Sequence, residues 1–305
     1  MPVLEADKLG RWYGQVVGLN DLTLSIEGGV TGLIGPNGAG KSTFLKLVAG
    51  EIKSSRGTLT VLGEQPFANR SYFRRVGFCP QQDALYDDMT GTEVVTFLLR
   101  LHGYGRREAR TRAGRALERA GLTQGLERRT RDYSKGMRQR VKLAQAIAHD
   151  PEFLIVDEPL NGLDPVGRLE MTQLFRELGE TGTHVLISSH VLHEVESLTE
   201  YIVLLHRGRL LAQGTVPEIR RLLNRHPRRV EIKAREPRRI ARRIVEFEDV
   251  RSVQVRDDGP LVVETGDIER FFRQLTPVAA AERAGIQTIE SSDAGLEAVF
   301  DYLVG

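Results

Sequence analysis

The chain has 305 residues, which is enough for a large buried core and for two domains. Its apolar fraction of 40% and charged fraction of 28% are typical of a globular protein and exclude a disordered or fibrous one. The formal net charge of +2 gives no electrostatic reason to expect nucleic acid as a partner. The sequence shows no secretory signal and no apolar run long enough for a membrane-spanning helix. Its single cysteine, Cys79, suits a reducing cytoplasm.

Short apolar segments with the character of strands run from the amino terminus to Cys79. Gly28-Gly29 is predicted to form the turn between the second and the third of them. The predicted strands are Val3–Ala6, Leu22–Ile26, Val30–Ile34, Leu59–Leu62 and Val76–Cys79.

A glycine-rich segment joins the strand Val30–Ile34 to a predicted helix at Ser42–Ala49. Two glycines separated by four residues and followed by lysine and serine form the pattern of a phosphate-binding P-loop. Glycines let the backbone N–H groups turn inward, and the start of the helix and Lys41 add positive charge. These groups neutralise the phosphates of a nucleotide, and the Ser42 hydroxyl can hold Mg²⁺. The predicted phosphate-binding residues are Gly35, Asn37, Gly38, Ala39, Gly40, Lys41, Ser42 and Thr43.

From about Thr92 to His149 the apolar residues follow a helical period. Beyond this region, strands alternate with helices, which indicates a parallel sheet with helices on both faces and a helical insertion. The predicted helices are Glu93–His102, Arg106–Ala120, Gly136–Ala148, Pro165–Gly179 and one from Val191. The predicted strands are Phe153–Val156, His184–Ser188 and Tyr201–Leu205.

The composition changes after Gly214, and Asn224–Pro227 is predicted to be a linker. The elements beyond it follow the order β-α-β-β-α-β, which is ferredoxin-like. Strands are predicted at Arg229–Ala234, Val250–Arg256, Leu261–Thr265 and Gln287–Glu290, and helices at Arg238–Phe247 and Ile268–Leu275. The residues predicted to face the core are Ile232, Val253, Val255, Val262 and Ile289.

Two adjacent carboxylates follow the predicted strand Phe153–Val156. Asp157 ends this strand in the Walker B pattern, where its carboxylate can hold Mg²⁺ directly or through water. Glu158 can polarise the water that attacks a terminal phosphate. Together with the P-loop, this pair predicts nucleotide hydrolysis.

Between the P-loop and these carboxylates lies Tyr133–Arg140, with the sequence Tyr-Ser-Lys-Gly-Met-Arg-Gln-Arg. Here the chain resembles the ATP-binding cassette (ABC) family, whose signature at this place is Leu-Ser-Gly-Gly-Gln. Ser134 and Gly136 match the signature, whereas Lys135 and Met137 depart from it, as does the tyrosine that opens the segment. In this family the serine and glycine contact the γ-phosphate of ATP held by the opposite subunit.

Four further positions fit this resemblance. Tyr13 matches the aromatic residue that stacks on adenine. Gln81 matches the glutamine of the Q-loop, which senses Mg²⁺ and the attacking water, and Gln82 is the less suitable candidate. Asp164 matches the aspartate of the D-loop, which communicates across the dimer, and His190 matches the histidine that contacts the γ-phosphate.

The resemblance covers about Val3 to Leu223 and implies an α/β fold with a RecA-like P-loop ABC ATPase core. The ABC domain is predicted over residues 1–224, with a helical signature subdomain at about 83–150, and a small α+β accessory domain over 225–305. ATP and Mg²⁺ are the implied cofactors. The implied metal ligands are Ser42, Gln81 and Asp157, and the implied catalytic residues are Glu158, His190 and Gln81. Because each ATP needs the signature of a second subunit, a homodimer is expected.

The signature variant and the closing segment Gly295–Leu303 resemble ATPases of exporters whose membrane permease is a separate chain. The resemblance therefore implies that the protein is attached to the cytoplasmic face of the cell membrane by binding to the permease. The sequence does not identify the transported substrate. Two alternatives remain: a soluble ABC ATPase in a non-transport process, and the ATPase of an uptake system. The single cassette and the lack of a long coiled coil count against the first alternative.

The segment Asp83–Met89 lies where the family docks a short helix of the permease. Leu85, Tyr86 and Met89 are expected either to be exposed for this contact or to pack against the following helix. The domain after residue 224 is expected to hold two subunits together, or to dock onto lipid or protein through its basic segment Arg228–Arg243.

Overall fold

The computed structural model describes residues 2–219, 228–255, 259–282 and 284–291. The chain divides into two compact units, Met1–Thr215 and Val216–Gly305. The predicted boundary between residues 224 and 225, the linker Asn224–Pro227 and the closing segment Gly295–Leu303 all lie outside the described residues. No helix among the described residues is both long and apolar enough to cross a membrane.

The strands of the first unit build two sheets. In chain order they are β1 (Leu4–Tyr13), β2 (Val16–Ile26), β3 (Val30–Ile34), β4 (Arg56–Val61), β5 (Val76–Cys79), β6 (Phe153–Asp157), β7 (His184–Ser189), β8 (Tyr201–His206) and β9 (Arg209–Thr215). The larger sheet has six strands in the order β5-β6-β7-β3-β8-β9. Strands β5, β6, β7, β3 and β8 are parallel, as the sequence predicts from their apolar runs.

Strand β9 departs from the predicted parallel sheet because it runs antiparallel to β8. Arg207 (φ +46°) and Gly208 (φ +76°) form the two-residue turn between the two strands. Positive φ at both positions is the geometry of a type I′ turn, which matches the twist of a hairpin. Arg-Gly is not one of the usual sequences of this turn, and Arg209–Thr215 shows no regular alternation of apolar and polar residues, so β9 was not predicted.

The smaller sheet is antiparallel and has the order β2-β1-β4. The predicted segments Val3–Ala6, Leu22–Ile26 and Leu59–Leu62 belong to these strands, but β1 and β2 are much longer than predicted. Register shifts after Ala6 and the positive φ of Lys8 (+46°) mark a bulge in β1. The bulge interrupts the alternation of apolar residues, which explains why the sequence predicts only the first part of the strand.

Helices flank both sheets. In chain order they are α1 (Lys41–Val48), α2 (Arg70–Arg75), α3 (Gly91–Leu101), α4 (Arg106–Arg119), α5 (Lys135–Ile147), α6 (Pro165–Glu180) and α7 (Leu192–Glu196). Thr90 and Glu93 form a capping box at the start of α3, and Asn69 caps α2. Helix α2 was not predicted because its six residues are too few to show a helical period.

Two apolar cores lie against the larger sheet, one on each face. On β6, Phe153 and Ile155 belong to one core, and Leu154 and Val156 belong to the other. Alternate residues of a strand point to opposite faces, so β6 is buried on both. Helices α3, α4 and α5 supply much of the second core and lie within the region predicted as the helical subdomain. Cys79, at the end of β5, is fully buried in this core.

The second unit has the predicted order of elements. They are β10 (Arg228–Ala234), α8 (Pro237–Ile244), β11 (Val250–Gln254), β12 (Leu261–Thr265), α9 (Ile268–Ala281) and β13 (Ile286–Ser291). The four strands form an antiparallel sheet in the order β11-β12-β10-β13. The core of this unit contains Val230, Ile232, Ile240, Ile244, Phe271 and Leu275.

Three predictions for the second unit are wrong in detail. Val255 and Ile289 are exposed (38% and 41%) rather than buried, because Val255 lies beyond the end of β11 and Ile289 lies on β13, the last strand of the sheet. Helix α9 continues past Leu275 to Ala281 and contains Pro277. The sequence predicts an end before this proline, but the helix continues through it and ends where the N–H of Glu282 donates to the carbonyl oxygen of Val278 (3.0 Å).

Candidate nucleotide-binding site

The loop between β3 and α1 is built around glycines that no larger residue can replace. A Cβ atom on Gly35 would lie 2.4 Å from the carbonyl oxygen of Leu205. Gly40 has a φ of +101°, and its Cβ would lie 2.7 Å from the carbonyl oxygen of Gly18. The loop therefore keeps its tight path only with glycine at both positions.

Lys41, the first residue of α1, is buried, and its side chain folds back over the loop. Its Nζ donates to the carbonyl oxygens of Gly35 (2.6 Å) and Pro36 (3.3 Å). Burial lowers the pKa of Lys41, while the carboxylates of Glu158 and Asp157 act in the opposite direction. The ammonium group is thus held where phosphate oxygens can replace the carbonyls as its partners.

The start of α1 leaves backbone N–H groups available. Its N-cap is Gly40, which provides no side-chain cap, so the first amides of the helix have no such acceptor. The Ser42 hydroxyl is exposed beside them, Thr43 is half-buried, and Asn37 and Gly38 are exposed on the loop, while Ala39 is buried. This helix terminus has the form of an anion site.

A serine on the neighbouring strand orients both carboxylates that follow β6. Ser188 Oγ donates to Asp157 Oδ1 (2.5 Å) and accepts the N–H of Glu158 (2.9 Å). Asp157 is 5% exposed. Sequence reasoning gave Ser188 no role, although it precedes His190 by only two residues.

Glu158 is the point at which the predicted catalytic groups meet. Its Oε1 lies 3.6 Å from Lys41 Nζ, and its Oε2 lies 2.9 Å from His190 Nδ1 and 3.3 Å from Asn161 Nδ2. Glu158 has a left-handed backbone (φ +51°), which costs about 1 kcal/mol for a non-glycine residue and is typical of functional sites. Its carboxylate is 6% exposed, so it is a hydrogen-bonded acceptor largely out of solvent.

The loop after β5 brings Gln81 to the same place. Gln81, Glu158 and Asn161 line a cavity of about 290 Å³ that also reaches the start of α5. Both glutamines are exposed, but Gln82 does not line this cavity. The structure therefore places Gln81, rather than Gln82, beside Glu158.

Ser134, Gly136 and Asp164 lie at the amino ends of two helices. Ser134 is the exposed N-cap of α5, and its Oγ accepts the N–H of Met137 (3.3 Å). Asp164 caps α6 through the N–H of Gly167 (3.0 Å). A Cβ on Gly136 would lie 3.5 Å from the Leu163 side chain, so the two helix ends are neighbours.

Tyr13, at the end of β1, is 42% exposed. The guanidinium group of Arg11 lies 4.8 Å from the centre of its ring, a cation–π contact. A Cβ on Gly18 would lie 3.0 Å from both Tyr13 and Thr43, which places the ring close to the start of α1. The position suits an aromatic platform beside the phosphate loop.

The predicted metal ligands are chemically suited to Mg²⁺, because the Ser42 hydroxyl, the Gln81 amide oxygen and the Asp157 carboxylate are hard oxygen donors. Among the described residues, no cluster of three or more His, Cys, Asp or Glu could hold a metal by itself. Mg²⁺ commonly takes one or two protein ligands and completes its coordination with substrate phosphates and water. The donor set beside the P-loop therefore fits the ion.

The parallel sheet, the P-loop and the paired carboxylates at the carboxyl ends of β3 and β6 define a P-loop nucleotide-binding ATPase core. Comparison with known proteins identifies the family. Residues 19–161 match the family model described as ABC transporter. The chain belongs to the ABC transporter family, as an ATP-binding subunit.

Two relatives and one solved structure show the extent of the similarity. An uncharacterised ABC transporter ATP-binding protein of Synechocystis is 39% identical over 216 residues, which cover 70% of this chain and 61% of the relative. The bacitracin transport ATP-binding protein BcrA of Enterococcus faecalis is 32% identical over 99% of this chain and 96% of its own. The dimeric ABC transporter cassette MJ0796 has a TM-score of 0.64 at 25% identity and matches 70% of this chain and 98% of the cassette.

Proposed function

We propose that this chain binds and hydrolyses ATP and uses the energy to drive export through a separate membrane permease. The observation that carries the proposal is the position of Lys41 and His190 around Glu158: Lys41 lies at ion-pair distance from its carboxylate and His190 at hydrogen-bond distance. A phosphate-binding lysine beside a buried carboxylate is the arrangement that attack of water on a terminal phosphate requires.

The residues divide the work of hydrolysis. Lys41 and the first amides of α1 bind the phosphates and neutralise their charge. Glu158 accepts a proton from the attacking water, and His190, whose Nδ1 bonds to it, holds the carboxylate toward the phosphate. Mg²⁺, when bound, supplies charge neutralisation at the phosphate oxygens, with Ser42, Gln81 and Asp157 as the residues that would hold it.

The working unit of the proposal is a homodimer. Ser134 and Gly136 lie at the amino end of α5, where helix amides offer a second anion site. The cassette MJ0796, which resembles this chain in fold, is described as dimeric. In the proposed dimer, Ser134 and Gly136 contact the ATP of the partner, Asp164 lies at the interface, and Tyr13 stacks on adenine.

Export is favoured over uptake by relatives that match almost the whole chain, among them DrrA of Streptomyces peucetius, which is named for daunorubicin/doxorubicin resistance. BcrA, named for bacitracin transport, aligns with 99% of this chain, including the second unit. We infer a membrane permease as the partner and a peripheral location on the inner face of the membrane.

Glu158→Gln separates binding from chemistry. The amide keeps the size of the side chain but cannot accept the proton, so we expect ATP hydrolysis to fall at least ~10²-fold while ATP still binds. Phosphate release measures the rate, calorimetry measures binding, and light scattering measures the ATP-dependent dimer, which should accumulate. Glu118→Gln, at an exposed position of α4, is the matched control. Normal hydrolysis by Glu158→Gln would mean that another residue accepts the proton.

A further inference from the structure

Lys142, in the middle of α5, is a lysine with almost no access to solvent. It is 3% exposed, and burial lowers its pKa. A buried ammonium group is costly unless each of its three N–H groups has a partner. Here all three find one: Nζ lies 2.9 Å from the carbonyl oxygen of Pro80, 3.0 Å from that of Gln81 and 3.3 Å from that of Gln82.

These carbonyls belong to the loop that presents Gln81 to the nucleotide site. Across the residues that the structure describes, the main chain of Gln81 and Gln82 forms no other hydrogen bond. The hydrogen bonds to the main chain of these two residues therefore come from Lys142 alone among the described residues. A methionine or leucine would fill the same volume without the cost of burying charge, so packing alone does not explain a lysine here.

A second residue of α5 holds the continuation of the same loop. Arg138 Nε donates to Asp83 Oδ2 (2.5 Å), and its Nη1 donates to Asp87 Oδ1 (3.0 Å). Lys142 lies eight residues after Ser134, about 12 Å along the helix. These contacts connect α5 directly to the loop that carries Gln81.

We propose that Lys142 is a positioning residue for ATP hydrolysis: it fixes Gln81 relative to Ser134, so nucleotide contact at the start of α5 sets the position of Gln81 in the chain's own site. The proposal rests on the proposed function. It makes α5 the connection between the two ATP sites of a dimer, since Ser134 faces one nucleotide and Gln81 the other.

A double-mutant cycle tests whether Lys142 acts through Gln81. Lys142→Met, which keeps a long unbranched side chain and removes all donors, should lower kcat about 10-fold or more and change the KM for ATP less than about 3-fold. In a Gln81→Ala background, Lys142→Met should lower kcat less than about 2-fold further, because the position of an absent side chain no longer matters. Lys142→Arg, which keeps some donors, should recover part of the rate.

The control is Gln145→Met, which lies on the same helix outside these contacts. Equal kcat for Lys142→Met and Gln145→Met, or full additivity with Gln81→Ala, would overturn the proposal. If Lys142→Met does not fold, as judged by thermal unfolding, the same cycle with Lys142→Arg decides. If the wild-type protein neither binds nor hydrolyses ATP, the proposed function itself is wrong. If the wild type is active but the effects of Lys142→Met and Gln81→Ala are additive, only the role of Lys142 is wrong.

Discussion

At the scale of single residues, a histidine far from the P-loop sets a pH dependence of stability. His149 follows α5 and is 8% exposed; its Nε2 lies 3.1 Å from the carbonyl oxygen of Val76, and its ring stacks on His102 at 4.5 Å. Burial, with a smaller contribution from His102, lowers the pKa of His149 from 6.5 to about 4. Asp150 and Arg112, which also lie near it, act in opposite directions.

His149 should therefore make the protein less stable in mild acid. Between pH 6.5 and about 4 the unfolded chain binds a proton that the folded chain does not, so stability falls as the pH decreases through this range and is fully present above it. We expect His149→Leu to reduce the loss between pH 6.5 and 5 by about 2 kcal/mol. Urea unfolding at both pH values measures it.

The matched control is His102→Gln, which alters the exposed member of the pair and should keep most of the pH dependence. An identical slope for wild type and His149→Leu would show that His149 is not the group that titrates.

Most of the nucleotide site could be predicted from sequence because its chemistry is contiguous along the chain. The P-loop around Lys41 and the pair Asp157-Glu158 each lie within a few residues, and spacing reveals them. Ser188 could not be given its role in this way, because its bond to Asp157 depends on the register of β6 against β7, where the two residues are paired. Lys142 was missed for a similar reason, since its partners lie 60 to 62 residues earlier in the chain.

At the scale of elements, the segment Asp83–Met89 combines the two alternatives that the sequence left open. Leu85 and Met89 are partly buried against the second core, so they follow the packing alternative. Tyr86 is 52% exposed and meets Phe97 of α3 edge to face at 5.7 Å. Leu85 and Met89 thus anchor the segment by packing, while Tyr86 and Phe97 form an aromatic pair on the surface that a partner could contact.

Charge at this aromatic pair should weaken attachment to the membrane without affecting hydrolysis. Tyr86→Glu places a carboxylate on the surface that we propose for the permease, so the share of the protein that sediments with membranes of the source cells should fall several-fold. Basal ATPase activity should stay within about 2-fold, since Tyr86 is exposed and outside the phosphate site. Leu101→Glu, at a more exposed position of α3 (69%), is the control. An unfolded Tyr86→Glu protein would show that the tyrosine serves packing instead.

Helices were predicted best where apolar residues recur at a regular helical period and a capping residue marks the first turn. Helix α3 begins at the capping box of Thr90, and α6 begins at Pro165 after the cap Asp164; both are close to their predicted positions. The hairpin β8–β9 depends on backbone angles that residue types only partly determine, so its second strand, β9, was missed although β8 was predicted.

At the scale of the whole molecule, the second unit contributes no residue to the proposed nucleotide-binding site, so it must serve another purpose. We propose that it holds two subunits near each other, which raises the effective concentration of each cassette at its partner. The basic helix α8, with Arg238, Arg239, Arg242 and Arg243 exposed, is the surface for the rival role of binding anionic lipid.

Truncation after Asn224 distinguishes these roles. If the second unit is a tether, the shortened chain should dimerise more weakly without ATP, and its ATPase rate should depend more steeply on protein concentration. Sedimentation measures the first, and a concentration series measures the second. Binding to vesicles that contain anionic phospholipid is the parallel assay. An unchanged dimer with lost vesicle binding would favour the lipid role.

The burial of Cys79 has a practical consequence for studying this molecule in motion. Desolvation raises the pKa of its thiol to about 12, so the group stays protonated and out of reach of water-soluble labels. A cysteine introduced on the surface can then carry a spin label or a fluorophore without removal of the native one. Distances between two labelled copies would report directly whether the cassettes approach each other when ATP is added.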